Sequence, residues 1–246
     1  MLSIKQKVKN NFHKQSSFYD EMALVQKKSA EILIATLHEF LPNFQPKTIL
    51  DVGAGTGVVT ESLLKIYPDS SYTVNDIASG MLAQIRIKMN QDFEFLEGDF
   101  ETLDFDDYDL IVSSFALQWA SNLKLTLKRL FSHASVMAVT CLEDGSFEEW
   151  HAVLRKYGVP VPLKTYPSKV ELEAIVKSFE VRYSLIQSKE FTLRFSSILE
   201  FFGYLKMLGA NASAHLVPLK TLKSIIESNN HEFSVTYKVF FVVVGK

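Results

Sequence analysis

Three glycines occupy every second position in the stretch ILDVGAGTGVVTESL, residues 49–63. The residues just before them are apolar except for Asp51, as in a buried strand. Glycine allows positive φ angles and lets a ligand lie directly against the backbone. The spacing is G-x-G-x-G, and no Lys-Ser/Thr pair follows, so a dinucleotide site and a triphosphate site are both disfavoured. Gly53, Gly55 and Gly57 therefore either form only a tight turn or bring backbone close to another kind of ligand.

Carboxylates follow the next two predicted strands. Asp76 ends the second strand, nineteen residues after the last glycine, where a carboxylate can accept hydrogen bonds from ribose hydroxyls. Asp99 ends the third strand, where an acceptor suits an exocyclic amine such as adenine N6, and Phe100 beside it can cover a ring face. Asp51, near the end of the first strand, could hold a cationic amino group.

Aspartates at strand ends also cap the helices that follow them, and this alternative stays open for each one alone. The glycine loop together with acids at successive strand ends, without a basic group among them, favours a ligand that carries positive charge and lacks phosphate. S-adenosylmethionine has a ribose, an adenine, an ammonium and a sulfonium. It is the cofactor that this pattern predicts.

Strands and helices alternate from residue 48 to residue 141. This alternation predicts parallel strands joined by right-handed crossovers, with helices on both faces of the sheet. Before it, apolar residues spaced three and four apart predict one helix over residues 18–41. After it, the Ser-x-x-Glu spacing predicts three helix starts, at Ser146 with Glu149, Ser168 with Glu171, and Ser197 with Glu200.

A strand-like stretch at residues 181–195, helices at 197–207 and after Pro218, and a final strand at 234–244 complete the chain. No repeat, low-complexity tract or linker separates two domains, so the sequence predicts a single domain over residues 1–246. Its expected parts are an N-terminal helical lid (1–45), a core (46–195 and 231–246) and a helical insertion (196–230).

Composition restricts location and partners. The 246 residues, 47% of them hydrophobic, can bury a sizeable core, and the net charge of -2 gives no reason to expect nucleic acid or a membrane surface as a partner. The single cysteine, Cys141, excludes an internal disulfide and indicates a reducing compartment. Neither a signal peptide nor a spanning apolar stretch is visible, so we expect a cytoplasmic protein. The histidines lack metal-ligand spacing, so no metal is expected.

Residues 48–141 resemble class I S-adenosylmethionine-dependent methyltransferases. ILDVGAGTG is similar to the first motif of that superfamily, NDIASGML to its second, and GDFETL to its adenine-contacting motif. The resemblance implies a Rossmann-like α/β fold with a seven-stranded, mostly parallel sheet and helices on both faces. It also implies an N-terminal helical extension and a helical insertion before the last strand.

Three further stretches narrow the resemblance to the malonyl-[acyl-carrier protein] O-methyltransferase family of biotin synthesis. They are FHKQSSFYDEMALVQKKSAEIL, VSSFALQWASNLKLTLKRLF and EFFGYLKMLGANAS, and the similarity runs over nearly the whole chain. The resemblance implies methyl transfer from S-adenosylmethionine to the free carboxylate of malonyl-acyl carrier protein. The methyl ester masks a charge, so that fatty-acid synthesis enzymes can extend the chain towards pimelate. A methyltransferase acting on another small carboxylic acid or metabolite is the alternative.

The residue pattern and the resemblance together imply two sets of site residues. The expected cofactor residues are Tyr19, Asp51, Gly53, Ala54, Gly55, Asp76, Ile77, Met81, Asp99, Phe100 and Ser114. The expected substrate residues are Tyr19, Gln118, Trp119 and Lys164. Two alternatives stay open, since Tyr19 also suits an ordinary amphipathic helix and Trp119 also suits a core position.

A malonyl carboxylate is already ionised at pH 7, so no general base is expected. Catalysis should come from alignment, with Tyr19 and Gln118 as positioning residues, and from exclusion of water. The family often has arginine where this chain has Lys164, and lysine is a point charge and not a two-pronged clamp. The chain also has Ala54 where the family often has cysteine, and SHAS (132–135) in place of a glycine turn.

The partner that the resemblance implies is malonyl-acyl carrier protein, or malonyl-CoA. Because the carrier is expected to be acidic, the N-terminal lysines are candidate contacts, with an ordinary solvated helix face as the alternative. These lysines are Lys5, Lys7, Lys9, Lys14, Lys27 and Lys28. Two other classes of function were weighed: a nicotinamide dehydrogenase, which the glycine spacing disfavours, and a noncatalytic partner-binding protein that kept the fold.

Overall fold

The computed structural model describes residues 4–161, 166–208 and 217–246. Its strands are β1 (Thr48–Val52), β2 (Ser71–Asp76), β3 (Phe93–Glu97), β4 (Tyr108–Ser113), β5 (Ala134–Leu142), β6 (Tyr183–Phe195) and β7 (Phe233–Gly245). Across these ranges seven strands form one sheet in the order β3-β2-β1-β4-β5-β7-β6. The first five strands are parallel, whereas β7 is antiparallel to both β5 and β6.

Helices cover both faces of the sheet. Within the described residues they are α1 (Ile4–Gln15), α2 (Tyr19–Met22), α3 (Leu24–Phe40), α4 (Val58–Leu64), α5 (Ser79–Lys88), α6 (Leu123–Ser132), α7 (Glu148–Lys156), α8 (Lys169–Lys177), α9 (Ile198–Met207) and α10 (Leu219–Ser228). A 3₁₀ turn, Leu117–Trp119, follows β4. In this part of the chain no helix is both long enough and apolar enough to cross a membrane.

The sheet separates two apolar clusters, and alternation along β1 shows how. Ile49 packs with Leu33 and Leu37 of α3 on one face. Leu50 packs with Leu127 of α6 on the other face, where α8 also contributes. Because successive strand residues point to opposite faces, a strand that is apolar throughout can be buried on both sides. This layering confirms the predicted α/β architecture.

The prediction of a single helix over residues 18–41 is wrong, because the helix is interrupted at Ala23. The chain forms α2 and α3 with a break between them, where Ala23 has ψ 44° and is fully buried. Asp20 on α2 binds Thr56 in the glycine loop and Lys88 on α5. These long-range contacts fix the direction of α2, which periodicity alone cannot report.

Two of the three predicted helix starts are found. Ser168 and Glu171 form a complete capping box, in which each side chain binds the backbone of the other residue. Ser197 accepts from the backbone N–H of Glu200, but the Glu200 carboxylate accepts from Ser196 instead. Both helices therefore begin where the sequence predicts.

The capping box predicted at Ser146 and Glu149 is wrong. The hydroxyl of Ser146 donates to the backbone oxygen of Lys238 at 3.1 Å and accepts from its N–H at 3.0 Å. The Glu149 carboxylate accepts from the N–H and the hydroxyl of Thr236. Helix α7 instead begins after Phe147, which has φ 61°. Both side chains that could cap the helix are used to attach it to β7.

The carboxyl ends of β1 to β4 meet at one edge of the sheet. β1 pairs with β2 on one side and with β4 on the other, so the connections leave β1 in opposite directions. In an open parallel sheet such a divergence leaves a crevice outside the strand ends. The glycine loop and the acids that the sequence singled out lie at the strand ends and on the loops around this crevice.

Candidate active site

A cavity occupies this edge of the sheet. It has about 990 Å³ of space between protein atoms, a figure that includes space open to solvent. Its walls come from the ends of β1 to β4 and from the N-terminal helices. All eleven expected cofactor residues line it: Tyr19, Asp51, Gly53, Ala54, Gly55, Asp76, Ile77, Met81, Asp99, Phe100 and Ser114.

The glycines of the first loop have different structural roles. Gly53, Gly55 and Gly57 all have positive φ, at 66°, 56° and 87°. A Cβ at Gly53 would lie 2.2 Å from the Cβ of Ala116, so this position needs glycine for packing as well as for the turn. A Cβ at Gly55 would meet no described atom within 4 Å and would enter the cavity. Gly55 is therefore where backbone lies open to a ligand.

Asp76 is buried at the end of β2 with both carboxylate oxygens engaged. One oxygen accepts from the N–H of Gly55 at 2.9 Å and the other from the N–H of Ala78 at 2.8 Å. Burial raises the pKa of Asp76 to about 6, against the effect of these backbone hydrogen bonds. Each carboxylate oxygen has a second lone pair. Asp76 thus holds the loop before α5 and retains acceptor capacity towards the cavity.

Asp51 is 1% exposed on β1. One carboxylate oxygen accepts from the hydroxyl of Thr60 at 2.6 Å, whereas the other has no hydrogen-bond partner among the described residues. Burial raises its pKa to about 7, Thr60 opposes the rise, and the charge of Asp76 adds to it. A buried carboxylate oxygen without a donor is costly. It marks a place where a cationic or donor group of a ligand would be stabilised.

Asp99 is bound by a lysine that the sequence did not indicate. One oxygen accepts from the N–H of Glu101 at 3.0 Å, and the other accepts from the ammonium of Lys5 on α1. Lys5 also pairs with Glu101 and lines the cavity. The expectation that no basic group lies among the site acids is therefore wrong. The expectation failed because the contact joins residues that are 94 positions apart in the chain.

Helix α1 crosses the cavity and is held to the strand ends by polar and aromatic contacts. Lys9 pairs with Glu97 at 2.9 Å, and Nδ1 of His13 accepts from the N–H of Gly80 at 3.1 Å. The ring of Phe12 packs edge-on against the rings of Tyr19 and Trp119, with centroids 6.0 Å apart in both cases. The N-terminal helices thus cover one side of the cavity.

The loop after β4 forms the opposite wall. Phe115 has φ 54°, an unusual angle for a residue with a side chain, which costs of order 1–3 kcal/mol. Its N–H donates to the hydroxyl of Thr140 at 3.2 Å, and the same hydroxyl contacts that of Ser114 at 3.1 Å. Both Ser114 and Phe115 line the cavity. The strained turn is thus held from β5 beside the glycine loop.

The expected substrate residues are less uniformly placed. Tyr19 and Trp119 line the cavity, whereas Gln118 lies beside the lining. The Gln118 amide donates to the backbone oxygen of Phe115 at 2.6 Å, and its own oxygen is buried without a partner in the described ranges. Lys164 falls outside the described residues, as do positions 209–211 of the LGAN stretch. The roles of these residues stay predictions.

Several lining residues were not predicted to be part of the cavity. They are Lys5, Val8, Phe12, Gln26, Ala30, Thr56, Val58, Val59, Phe115 and Ala116. Val8 and Phe12 are four residues apart, a helical spacing that places both on one face of α1. Gln26 lies inside a stretch that already showed the family resemblance, and its buried amide oxygen has no partner among the described residues. These two signals could have found part of the missing wall.

Comparison with known proteins defines the class first. A family model described as "Methyltransferase domain" matches residues 49–135. The plantazolicin methyltransferase BpumL, solved in complex with SAH, has the same fold at a TM-score of 0.55, with 16% identity over 99% of each chain. The chain is a class I, S-adenosylmethionine-dependent methyltransferase with the Rossmann-like fold.

Two curated relatives define the family. The malonyl-[acyl-carrier protein] O-methyltransferase of Neorickettsia risticii is 34% identical over 236 residues, which are 96% of this chain and 94% of the relative. The biotin biosynthesis bifunctional protein BioCD of Bordetella avium is 30% identical over 94% of this chain and 50% of the relative. The chain belongs to the malonyl-[acyl-carrier protein] O-methyltransferase family.

Proposed function

We propose that this methyltransferase esterifies the free carboxylate of a malonyl group carried on acyl carrier protein. The product would be the malonyl methyl ester that starts pimeloyl synthesis for biotin. The observation that carries the proposal is the extent of the similarity to the Neorickettsia risticii enzyme, which includes the N-terminal helices and the segment around α9 as well as the cofactor half. A methyltransferase of unrelated specificity would have no reason to share those regions.

The cavity fits S-adenosylmethionine by the chemistry of its walls. We assign Asp76 to the ribose hydroxyls, Asp99 with Phe100 to the adenine, and the Gly55 backbone with Asp51 to the methionine part. The unpartnered oxygen of Asp51 and the open space at Gly55 support this assignment. When bound, the cofactor supplies a methyl group made electrophilic by its sulfonium.

The proposed reaction needs no proton transfer. A carboxylate oxygen forms the new bond to the methyl carbon as the bond from that carbon to sulfur breaks. The carboxylate loses its negative charge and the sulfonium its positive charge, so the reaction neutralises both. A dry cavity favours such a step because the charges lose less stabilisation from water as they disappear. The cover of α1, with Phe12, and the wall of Phe115 and Trp119 would provide that exclusion.

Substrate positioning is proposed for Tyr19, Gln118, Trp119 and Lys164. Tyr19 lines the cavity, and burial raises its pKa, so its hydroxyl stays protonated and able to donate. Lys164 would attract the substrate carboxylate as a point charge.

The N-terminal lysines divide into two groups. Lys5, Lys9 and Lys28 bind carboxylates of their own chain, which makes them weaker candidates for contact with a carrier protein. Lys7 and Lys14 are exposed, Lys27 is half-buried, and these three remain candidates. Cytoplasmic location, with neither a membrane nor nucleic acid as a partner, is part of the same proposal. It is supported by the buried, unpaired thiol of Cys141, which suits a reducing compartment.

The test is incubation with labelled S-adenosylmethionine and malonyl-acyl carrier protein, followed by mass analysis of the carrier. We expect the mass of one methyl group, and no gain with acetyl-acyl carrier protein, which lacks the carboxylate. Parallel reactions with malonyl-CoA and free malonate show how much the carrier protein contributes to the rate. Equal rates on free diacids would favour the alternative, a methyltransferase of another small carboxylic acid, and no added mass would contradict the proposal.

A further inference from the structure

A pair of tyrosine hydroxyls lies in the core close to the cavity. Tyr204 on α9 and Tyr237 on β7 are 7% and 1% exposed, and their hydroxyl oxygens are 3.0 Å apart. Each phenol has one proton to donate, and their mutual hydrogen bond uses one of the two. Neither hydroxyl has another partner among the described residues. Within the described ranges the pair therefore holds one buried O–H donor in surplus.

The pair lies on the opposite side of the crevice from the nucleoside acids. Asp76 and Asp99 follow β2 and β3, whereas Tyr237 is on β7, beyond β4 and β5 in the sheet order. The last residue of β5, Leu142, pairs with Val239. Tyr237 is two residues further towards the edge where the cavity opens. This is the side left for a substrate once a nucleoside occupies the other.

Two cavity-lining aromatic residues connect the pair to the cavity. The ring of Tyr237 packs against that of Phe115 with centroids 6.3 Å apart, and Phe115 lines the cavity. Tyr19 lines it too, and its pKa is raised by burial and then by the nearby hydroxyl of Tyr204 and the carboxylate of Asp76. Tyr19 is therefore close both to Tyr204 and to the carboxylate of Asp76.

The surroundings keep the tyrosine hydroxyls in their neutral, donating form. Phe147 packs on Tyr237 at 4.6 Å between ring centroids and on Tyr166 at 6.5 Å, so a further tyrosine joins the group. Burial is the main cause that raises the pKa of Tyr166, Tyr204 and Tyr237, so all three stay neutral donors. A carboxylate brings two oxygens, one for a phenol donor and one for the methyl group.

We propose that the Tyr204–Tyr237 pair donates a hydrogen bond to the carboxylate of the acyl substrate and so selects malonyl over uncharged acyl groups. The inference rests on the proposed function and names the groups that would read the substrate charge. Neither tyrosine lines the cavity, so the ring of Phe115 would have to turn aside for a carboxylate to reach the pair. The donor would offset the loss of water around the carboxylate without removing its negative charge.

The test uses Tyr204→Phe, Tyr237→Phe and the double variant Tyr204→Phe/Tyr237→Phe. With S-adenosylhomocysteine present, binding of malonyl-loaded and acetyl-loaded carrier protein is compared. Either single variant leaves one phenol proton free to donate, so it should keep part of the preference for malonyl. The double variant removes both donors, and loss of a hydrogen bond to a charged group predicts that it loses roughly tenfold to a hundredfold of the wild-type preference. Affinity for S-adenosylhomocysteine alone should not change.

Tyr72→Phe is the matched control. Tyr72 on β2 is also buried, and its hydroxyl donates to the backbone oxygen of Tyr67 at 2.9 Å. It should lower thermal stability without changing the preference for malonyl.

The outcomes separate this inference from the proposed function. An active wild-type enzyme whose tyrosine variants keep the full malonyl preference overturns the inference alone. A wild-type enzyme that does not esterify malonyl carrier protein overturns the proposed function, and the inference with it. Thermal unfolding of each variant shows that it is folded, and Tyr204→Phe/Tyr237→Met, which also lacks both hydroxyls, is scored where the double phenylalanine variant does not fold.

Discussion

Binding of S-adenosylmethionine is expected to release a proton from Asp51. This carboxylate is buried, lines the cavity and has one oxygen without a partner in the described part of the chain. Its pKa is about 7, raised mainly by burial. An ammonium group docking on that oxygen favours the ionised form and lowers the pKa. Any molecule of protein that holds the proton before binding must then lose it.

The amount released follows from the pKa. With a value near 7, roughly half of the molecules carry the proton at pH 7, about nine tenths at pH 6 and about one tenth at pH 8. Since the ionised carboxylate binds the protonated ammonium, affinity should rise with pH up to the ordinary α-amino pKa of about 7.7–8.0 and fall above it. Well below pH 7 the rise approaches about tenfold for each pH unit. Asp76, with a pKa of about 6, contributes only about a tenth of a proton at pH 7.

The assay is calorimetric titration of the cofactor at pH 7 in two buffers of different ionisation enthalpy. The dependence of the binding heat on that enthalpy gives the number of protons released. Asp51→Asn should reduce it to near zero. Thr60→Val removes the hydrogen bond that opposes the pKa rise, so it should increase the release. A wild-type heat independent of buffer, or an unchanged release in Asp51→Asn, would refute the reasoning.

Three shorter predictions concern the glycine loop, helix α1 and the N-terminal cap of helix α8. Gly53→Ala should lower the free energy of unfolding in urea by about 2–4 kcal/mol, since overpacking and a left-handed φ both oppose the new side chain. Gly55→Ala should chiefly weaken cofactor affinity. Equal unfolding free energies for the two variants would contradict the packing argument. Lys5→Met should speed chymotryptic cleavage within α1. It should change the free energy of unfolding by less than about 1 kcal/mol, because the ion pair of Lys5 with Asp99 is partly exposed. An unchanged cleavage rate would show that the ion pair does not hold the helix. Ser168→Ala should cost about 1 kcal/mol in the same urea assay, and no loss would mean that the capping box adds nothing to stability.

Short-range patterns explain why much of the fold could be predicted. The strands at 48–52 and 108–113 are buried on both faces, and their apolar runs indicate this without further information. The capping box of Ser168 and Glu171 is confirmed because both partners lie in one turn. Ser146 and Glu149 have the same spacing, yet they bind backbone of β7 some 90 residues later. A local pattern cannot show that a distant strand will compete for the same side chains.

The sequence by itself determined the chemistry that the cavity offers. The glycine spacing excluded dinucleotides and triphosphates, and acids at successive strand ends predicted a cationic nucleoside ligand. These conclusions depend on residue types at the ends of parallel strands, and parallel strands bring their ends together in any such sheet.

Only the tertiary structure decided which of these residues pack against the core, which bind one another and which face the cavity. It showed that Gly53 serves packing while Gly55 faces the cavity, that Lys5 reaches Asp99, and that Tyr204 meets Tyr237. Each is a contact between elements far apart in the chain, set by how helices lie on the sheet. Hydrophobic periodicity tells which face of a helix is buried, but it does not tell which distant residue that face will meet.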